Sequence, residues 1–482
     1  ASLNSLLVPL RRHSARAFAR FAPRPGLELF TELMWSQPTV DAQLAAAPAI
    51  FPAAFTINGP FFNDQSRPIL SAAYDGDDDG VGQALLIKRF TDIGPRRRSA
   101  EREYARAVLG FVADISETWR LEGAYSYARN ETVTQLQNAA SLARVRQGLL
   151  IDPLTGGCVD PSNGCVPVNI FGVGVLSAEA ANFIRVDSFE NRDEAVQHLV
   201  SVVATGEIFT WSQGTARASA GLEYRRNRAR FAPSPIYSTG DALGFAGGFN
   251  ASQPRGGAIE VYEAFGEVLV PLLQDQPLAR QLLFEAGGRV SDYATSGTVW
   301  TWKAGGQWQP AEPLRLRGMY QRAVRAPNIG ELFTTPSSAI FSFPTFLDFC
   351  RASNDPTGRG FADICISQGM DPAQVGVFDL PNNTDFIVNQ ILTGNPALEP
   401  ETATTTTFGF DYTFPTASLI RVAADYFSIE IEDAIRFIDT PFTTCPITRA
   451  PGGVVCSTIT REPGGAVSSV TFRPENLSLA QV

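Results

Sequence analysis

The sequence predicts an all-β fold, an antiparallel transmembrane β-barrel with long loops at one end. Three observations carry this expectation. Apolar and polar residues alternate with period two over runs far longer than an ordinary strand. Short and long connections alternate along the chain. Six cysteines fall into three local pairs, and every one lies in a long connection.

The alternation is clear in Thr118–Asn130, where Trp119, Leu121, Tyr125 and Tyr127 interleave with Arg120, Glu122 and Ser126. In Pro313–Arg325, Leu314, Leu316 and Tyr320 interleave with Arg315, Arg317 and Gln321. In Val299–Gln309, Trp300, Trp302 and Trp308 stand opposite Thr301, Lys303 and Gln307. Successive strand side chains point to opposite faces, so each run has one apolar and one charged face. The runs are about 12–18 residues long, against ~5–6 for the usual strand. Several apolar rows end in Trp or Tyr, as an interfacial girdle does.

This spacing predicts strands at about 11–22, 26–37, 99–113, 118–133, 195–209, 214–232, 259–272, 280–295, 297–309, 313–326, 401–414 and 418–434, with a further one starting near 466. Turns such as "DISET" and "PTAS" alternate with long segments at about 38–98, 134–194, 233–258, 327–400 and 435–465. The tight turn near Ala294–Ser296 is the one short exception. An up-and-down barrel has that sidedness, whereas a Greek-key sandwich does not. The long segments are therefore expected outside the cell. Inside them, 83–92 reads as a hairpin arm and 176–184 as a short amphipathic helix. In "PETATTTTFGFDYTF" (400–414), Phe408, Phe410, Tyr412 and Phe414 are expected to face lipid, and Thr407, Asp411 and Thr413 the lumen.

Composition narrows the function. The chain has 482 residues and a net charge of -10, with Lys88 and Lys303 its only lysines. So acidic a chain lacks the basic surface that nucleic acid requires. No apolar run approaches the ~18 residues of a spanning helix, and barrel strands look average by hydropathy. Residue 1 is Ala and no leader is visible, which reads as a mature chain or a fragment. The sequence holds no GxSxG, HExxH or GxxxxGK[ST] pattern and only His13 and His198. An enzyme is not expected, nor a cofactor.

The cysteines pair as Cys158 with Cys165, Cys350 with Cys365, and Cys445 with Cys456 in Pro-, Gly-, Asn- or Asp-rich stretches. Loop disulfides in an oxidising compartment fit this spacing better than reduced thiols or zinc. "DGDDDG" places Asp75, Asp77 and Asp79 as the front of a calcium loop, but Leu86 stands where a bidentate Glu is needed. A solvated acidic tip is the plainer reading, and no metal is expected. Arg225, Arg226 and Arg228 are candidates for a basic rim that meets an anionic ligand; lumen salt bridges explain them equally simply. Phe341, Phe343 and Phe346 suit either a ligand vestibule or the packed base of a disulfide-closed loop.

"RAVRAPNIGELF" (322–333), "GNPALEPETATTTTFGFDYTF" (394–414) and "ADYFSIEIEDAI" (424–435) resemble the later barrel region of TonB-dependent outer-membrane receptors. The resemblance rests on Arg325, Ala326, Pro327, Glu331, Leu332 and Phe333, on Asn395, Pro396, Leu398, Pro400, Glu401 and Thr402, and on Asp425, Tyr426, Ile429 and Ile431. It implies a 22-stranded barrel with a plug in its lumen. This chain shows about 13 strands and neither plug nor TonB box, so it reads as a piece, 1–482, of the barrel domain. Glu331 and Phe333 match a motif independent of ligand type, which implies a structural role. The implied function is active uptake of a scarce, bulky solute across a Gram-negative outer membrane, with outer-membrane lipid around the wall and the TonB energy complex acting through the plug. A ferric siderophore is the preferred ligand, an oligosaccharide or other nutrient the competitor. A passive porin, a barrel adhesin and a soluble secreted β-rich binding protein stand as alternatives.

Overall fold

The computed structural model describes residues 4–245, 251–380, 385–415, 420–438, 440–477 and 480–481. Long antiparallel strands follow one another around a single curved sheet: β1 (Leu10–Arg24), β2 (Leu27–Leu44), β3 (Arg96–Asp114), β4 (Trp119–Ser141), β5 (Arg185–Trp211), β6 (Gly214–Ala232), β7 (Arg255–Gln276), β8 (Ala279–Tyr293), β9 (Gly297–Ala311), β10 (Leu314–Arg325), β11 (Glu401–Phe414), β12 (Ile420–Glu432) and the short β13 (Ala480–Gln481). Each strand between the two ends pairs with its predecessor and its successor, the meander that the alternating connections imply. Gly297, at φ +75, supplies the left-handed backbone that opens β9 after its tight turn.

Register shows why the sheet has two chemically distinct faces. Directly paired residues share a face. Thr405, Thr407 and Asp411 of β11 meet Gln321, Met319 and Arg315 of β10. Gln321 in turn meets Lys303 of β9, which meets Gly287 of β8 and then Glu267 of β7. The opposite row runs from Phe408 through Gly318 and Gly306 to Phe284 and Val270. Its large side chains are exposed: Leu109, Leu222, Tyr262, Trp300 and Phe408 are each more than half accessible. Phe410, Tyr412 and Phe414 share this apolar face, while Asp411 is buried on the polar one. No helix among the described residues is long and apolar enough to cross a membrane, which says nothing of the strands.

Half of the twelve expected strands run further at the long-loop end than the sequence suggests. β4 continues to Ser141, β5 begins at Arg185, and β7 begins at Arg255. Above a lipid-facing band both sides of a strand are wet, so apolar alternation fades while backbone pairing continues. The strand that starts near 466 is not part of the wall. Val467–Phe472 instead joins a four-stranded sheet with Ser337–Pro344, Asp385–Leu392 and Ile459–Arg461, and pairs in parallel with Asn389–Leu392. The wall strand that follows β12 is Ala480–Gln481.

Two packed bodies stand on the long-loop end. In the first, the arm Pro48–Thr56 pairs with Val81–Arg89. Its alternation buries Ala49, Phe51, Ala53 and Phe55 against Val145 and Leu149 of helix α1 (Leu142–Leu149) and Ile184 of helix α2 (Ala178–Ile184). Cys158–Cys165 closes a tip beside it. The second body packs Phe343, Phe349, Phe361 and Phe442 around Cys350–Cys365 and Cys445–Cys456. All three cysteine pairs are those the sequence implies.

Candidate functional site

The polar face carries ion pairs built across strands. Glu263 of β7, only 4% exposed at its side chain, accepts from Arg289 of β8 at 3.1 Å and from the Ser291 hydroxyl at 2.5 Å. Arg225 of β6 approaches Glu263 at 3.9 Å and Glu223 at 3.8 Å. Lys303 bridges Glu267, at 3.1 Å, and Glu285. Nearer the short-turn end, Arg317 holds Asp411 and Asp425, each at 2.5 Å, and Arg421 holds Asp411 at 2.7 Å.

Among the cavities on this face, two meet at Arg225 and Tyr293. One, of about 480 Å³, is lined by Arg225, Glu263, Glu267, Arg289, Tyr293 and Lys303. The next, of about 540 Å³, shares Arg225 and Tyr293 and is bounded by Arg325–Gly330. The Arg225 Nε atom is buried and finds no partner among the described residues. Sequence reading did not single out Glu263, Arg289 or Tyr293. The signal available was their shared parity in adjacent strands, which becomes a cluster only once register is known.

The segment that bounds the second cavity is fixed by one arginine. Arg325, at the end of β10, donates to Glu401 at 2.6 and 3.2 Å and to Glu331 at 3.1 Å. Asn328 caps helix α3 (Ile329–Phe333): its Oδ1 accepts from the Glu331 N–H, and the Glu331 carboxylate accepts from the Asn328 N–H. Glu401 also accepts from the Ile435 N–H at 3.0 Å. Asn395 donates its own N–H to the Glu331 carbonyl at 2.7 Å, and its side-chain amide to the Pro474 carbonyl at 3.0 Å. Leu332, Leu398 and Ile435 pack together beneath, with Phe333 beside them. Phe333 needs Gly257: a Cβ there would stand 2.1 Å from the ring. Arg325, Glu331, Glu401 and Asn395 thus tie β10, β11 and the exits of both long loops. Pro327 lies in the span between Arg325 and the helix, and Pro396 and Pro400 flank Leu398.

The other candidates separate. Strand alternation puts Arg225 on the polar face, and Arg226 and Arg228 on the outer one. The three do not converge, because neighbours in a strand cannot share a face. Arg226 instead pairs with Glu260 at 3.0 Å. Phe343 is buried against Phe442, ring centroids 4.7 Å apart, while Phe346 is 69% exposed. The Phe341 side chain lies outside the described residues. Asp75, Asp77 and Asp79 do approach, their carboxylate oxygens within 4.8 Å of one another. Asp75 spends both oxygens on the N–H groups of Asp79 and Gly80, the behaviour of a loop that caps itself.

A wall with an exposed apolar outer face and a charged inner face defines this protein as a transmembrane β-barrel, with long loops packed over one rim. More particularly, a family model described as TonB dependent receptor-like, beta-barrel, matches residues 54–469. The chain belongs to that family, whose members are receptors and transporters of the Gram-negative outer membrane. No curated protein matches the chain. Among solved structures it is similar to the siderophore receptor PirA from Acinetobacter baumannii, at 13% identity and a TM-score of 0.46 over 98% of this chain and 50% of that one. It is similar to the ferric-catecholate import receptor Fiu from E. coli K12, at 12% and 0.43, over 90% of this chain and 53% of that one. It is also similar to the RagAB peptide importer, at 12% and 0.45, over 88% and 40%. The chain spans about half the length of the first of these.

Proposed function

We propose that the chain forms the barrel wall and outer loops of a receptor that binds a scarce, bulky solute and imports it across the outer membrane with TonB-coupled energy. The long-loop end faces the outside, and ligand enters between the two packed bodies. The polar cavities beneath receive it, or the plug that gates it. The observation that carries the reading is the continuous pair of faces, apolar outside and ion-paired inside, in a member of this family. A ferric siderophore is the preferred ligand and an oligosaccharide or other nutrient the competitor. Arg225, Arg289 and Lys303 give the inner wall cationic groups for an anionic ligand. Arg226, Arg228 and the buried Phe343 are not in position to share that contact; exposed Phe346 remains a candidate loop contact.

The test is uptake of radiolabelled ferric siderophores by cells with and without the gene, under iron starvation, with a protonophore arm. Loss of protonophore-sensitive uptake on deletion is expected. Unchanged uptake of every siderophore, with loss of growth on a glycan, moves the assignment to the oligosaccharide. An Arg225→Gln variant, which removes one cation from the cavity lining, is expected to weaken binding of an anionic siderophore on the order of ten-fold.

A further inference from the structure

On the outer face, β6 presents Arg226, Arg228 and Arg230 at alternate positions, all exposed. Immediately below them lies an aromatic belt. Tyr224 packs on Tyr262 with ring centroids 4.9 Å apart, and the Tyr125 hydroxyl meets His198 Nδ1 at 2.9 Å with Tyr127 beside the same ring. Tyrosines of this kind settle at the membrane–water interface, one end apolar and the other wet. The arginines then climb from that level in steps of about 6.7 Å along the strand. They therefore stand at headgroup height.

Their charge is incompletely neutralised. Arg226 is held by Glu260 at 3.0 Å. Glu131 is shared by Arg129 and Arg192, at 2.7 and 2.9 Å, and Glu194, which lies opposite Arg230, is taken by Arg129 at 2.8 Å. Arg228 lies between Val196 and Ala258 and Arg230 between Glu194 and Gly256; neither makes an ion pair among the described residues. In a chain with a net charge of -10, this is a local cationic surface turned toward the membrane. Two guanidinium forks one strand-repeat apart suit the oxygens of a phosphate, which arginine binds in a planar, bidentate way.

We propose that Arg228 and Arg230, with Arg226 beside them, bind the phosphate of an outer-leaflet lipid headgroup and fix the wall's depth and rotation there. This rests on the reading that the wall crosses an outer membrane. The full chain, refolded in detergent, is titrated with lipid A, with the same lipid after enzymatic removal of its phosphates, and with inorganic phosphate. Retained lipid is counted by native mass spectrometry. Lipid A is expected to stay bound to the native chain. The Arg228→Gln/Arg230→Gln variant should bind about 25-fold more weakly, roughly five-fold per arginine. Dephosphorylated lipid should behave with the native chain as lipid A does with the variant. An Arg11→Gln control, on the distant β1, should bind as the native chain does. Equal binding by the double variant, equal binding of dephosphorylated lipid, or full competition by millimolar inorganic phosphate overturns the proposal. Protease protection of the strands in liposomes separates the two readings. A wall that inserts but ignores the phosphate removes only this inference; one that fails to insert removes the membrane reading as well.

Discussion

In the wall, Arg317 meets Asp411 at 2.5 Å while its own side chain stays about one-third exposed. In the second loop body, Arg461 meets Asp348 at 2.6 Å with both side chains fully buried. The contacts look alike and their energetics differ. A hydrated pair gains little, because water screens it and two long side chains lose freedom. A buried pair is costly to desolvate, and losing one partner strands the other charge. Arg461 also donates to Gln368 Oε1 and the Gly465 carbonyl, so its fork is saturated. The wall is therefore held by its backbone ladder and the lipid it faces, with side-chain charges free to serve the lumen. The loop body is held as a soluble domain is, by an aromatic core, two disulfides and one buried ionic centre.

Breaking the buried centre should have the largest effect. Arg461→Ala is expected to destabilise the second loop body by about 3–5 kcal/mol, read as faster amide exchange across 337–380, 385–392 and 441–472 with the wall strands unchanged. Phe343→Ala should cost a similar amount, about 3–5 kcal/mol, through the cavity it leaves beside Phe442. Replacing both Cys350 and Cys365 with Ser, which opens a crosslink of sequence separation 15, should cost ~3 kcal/mol in the same measurement. Acid acts on the same body through Asp379. Burial pushes its carboxyl up, but the Leu380 N–H and the Arg351 guanidinium outweigh that and hold it below the usual range. A lowered folded value means that its contribution is present above the unfolded value, near pH ~3.9, and is lost as pH falls further. Exchange at Arg351–Ser353 should accelerate only in that acid window.

Much of this contrast is legible in the sequence, and the remainder is not for physical reasons. Period two exposes the wall because every strand has one lipid-facing row; Trp300, Trp302 and Trp308 mark it without reference to any neighbour. Cys350 and Cys365 announce a loop crosslink because they are close in the chain. Arg461 and Asp348 are 113 residues apart, and nothing local to "ITREPGG" or "FLDFC" says that they meet. The parallel pairing of Asn389–Leu392 with Ser469–Phe472 is hidden in the same way, so a strand of the loop sheet reads as a strand of the wall. The motif around Arg325 is visible as a string; its geometry, one guanidinium joining Glu331 and Glu401, is not. The charged cavity is hidden too, because Glu263, Arg289 and Lys303 come from three strands.

At the rim, where wall and loops join, an intermediate effect is expected. Gly257→Ala forces a methyl into the Phe333 ring and should cost about 1–3 kcal/mol, visible as exchange at both α3 and the start of β7. If exchange rises at β7 alone, the helix is not held by the wall and the two regions are less coupled than the packing shows.

The smallest effect on stability should come from the wall's own charges. Lys303→Gln removes the cation shared by Glu267 and Glu285, with about a third of the lysine side chain in solvent. Thermal unfolding in detergent should shift by no more than ~1 kcal/mol, because the glutamates regain water. Ligand affinity or uptake should change more than stability does, since Lys303 lines the cavity next to Arg225. A fall in stability of several kcal/mol with unchanged uptake would reverse the contrast: Lys303 would then belong with Arg461, a structural charge, and the inner wall would be a packed core, not a hydrated lumen.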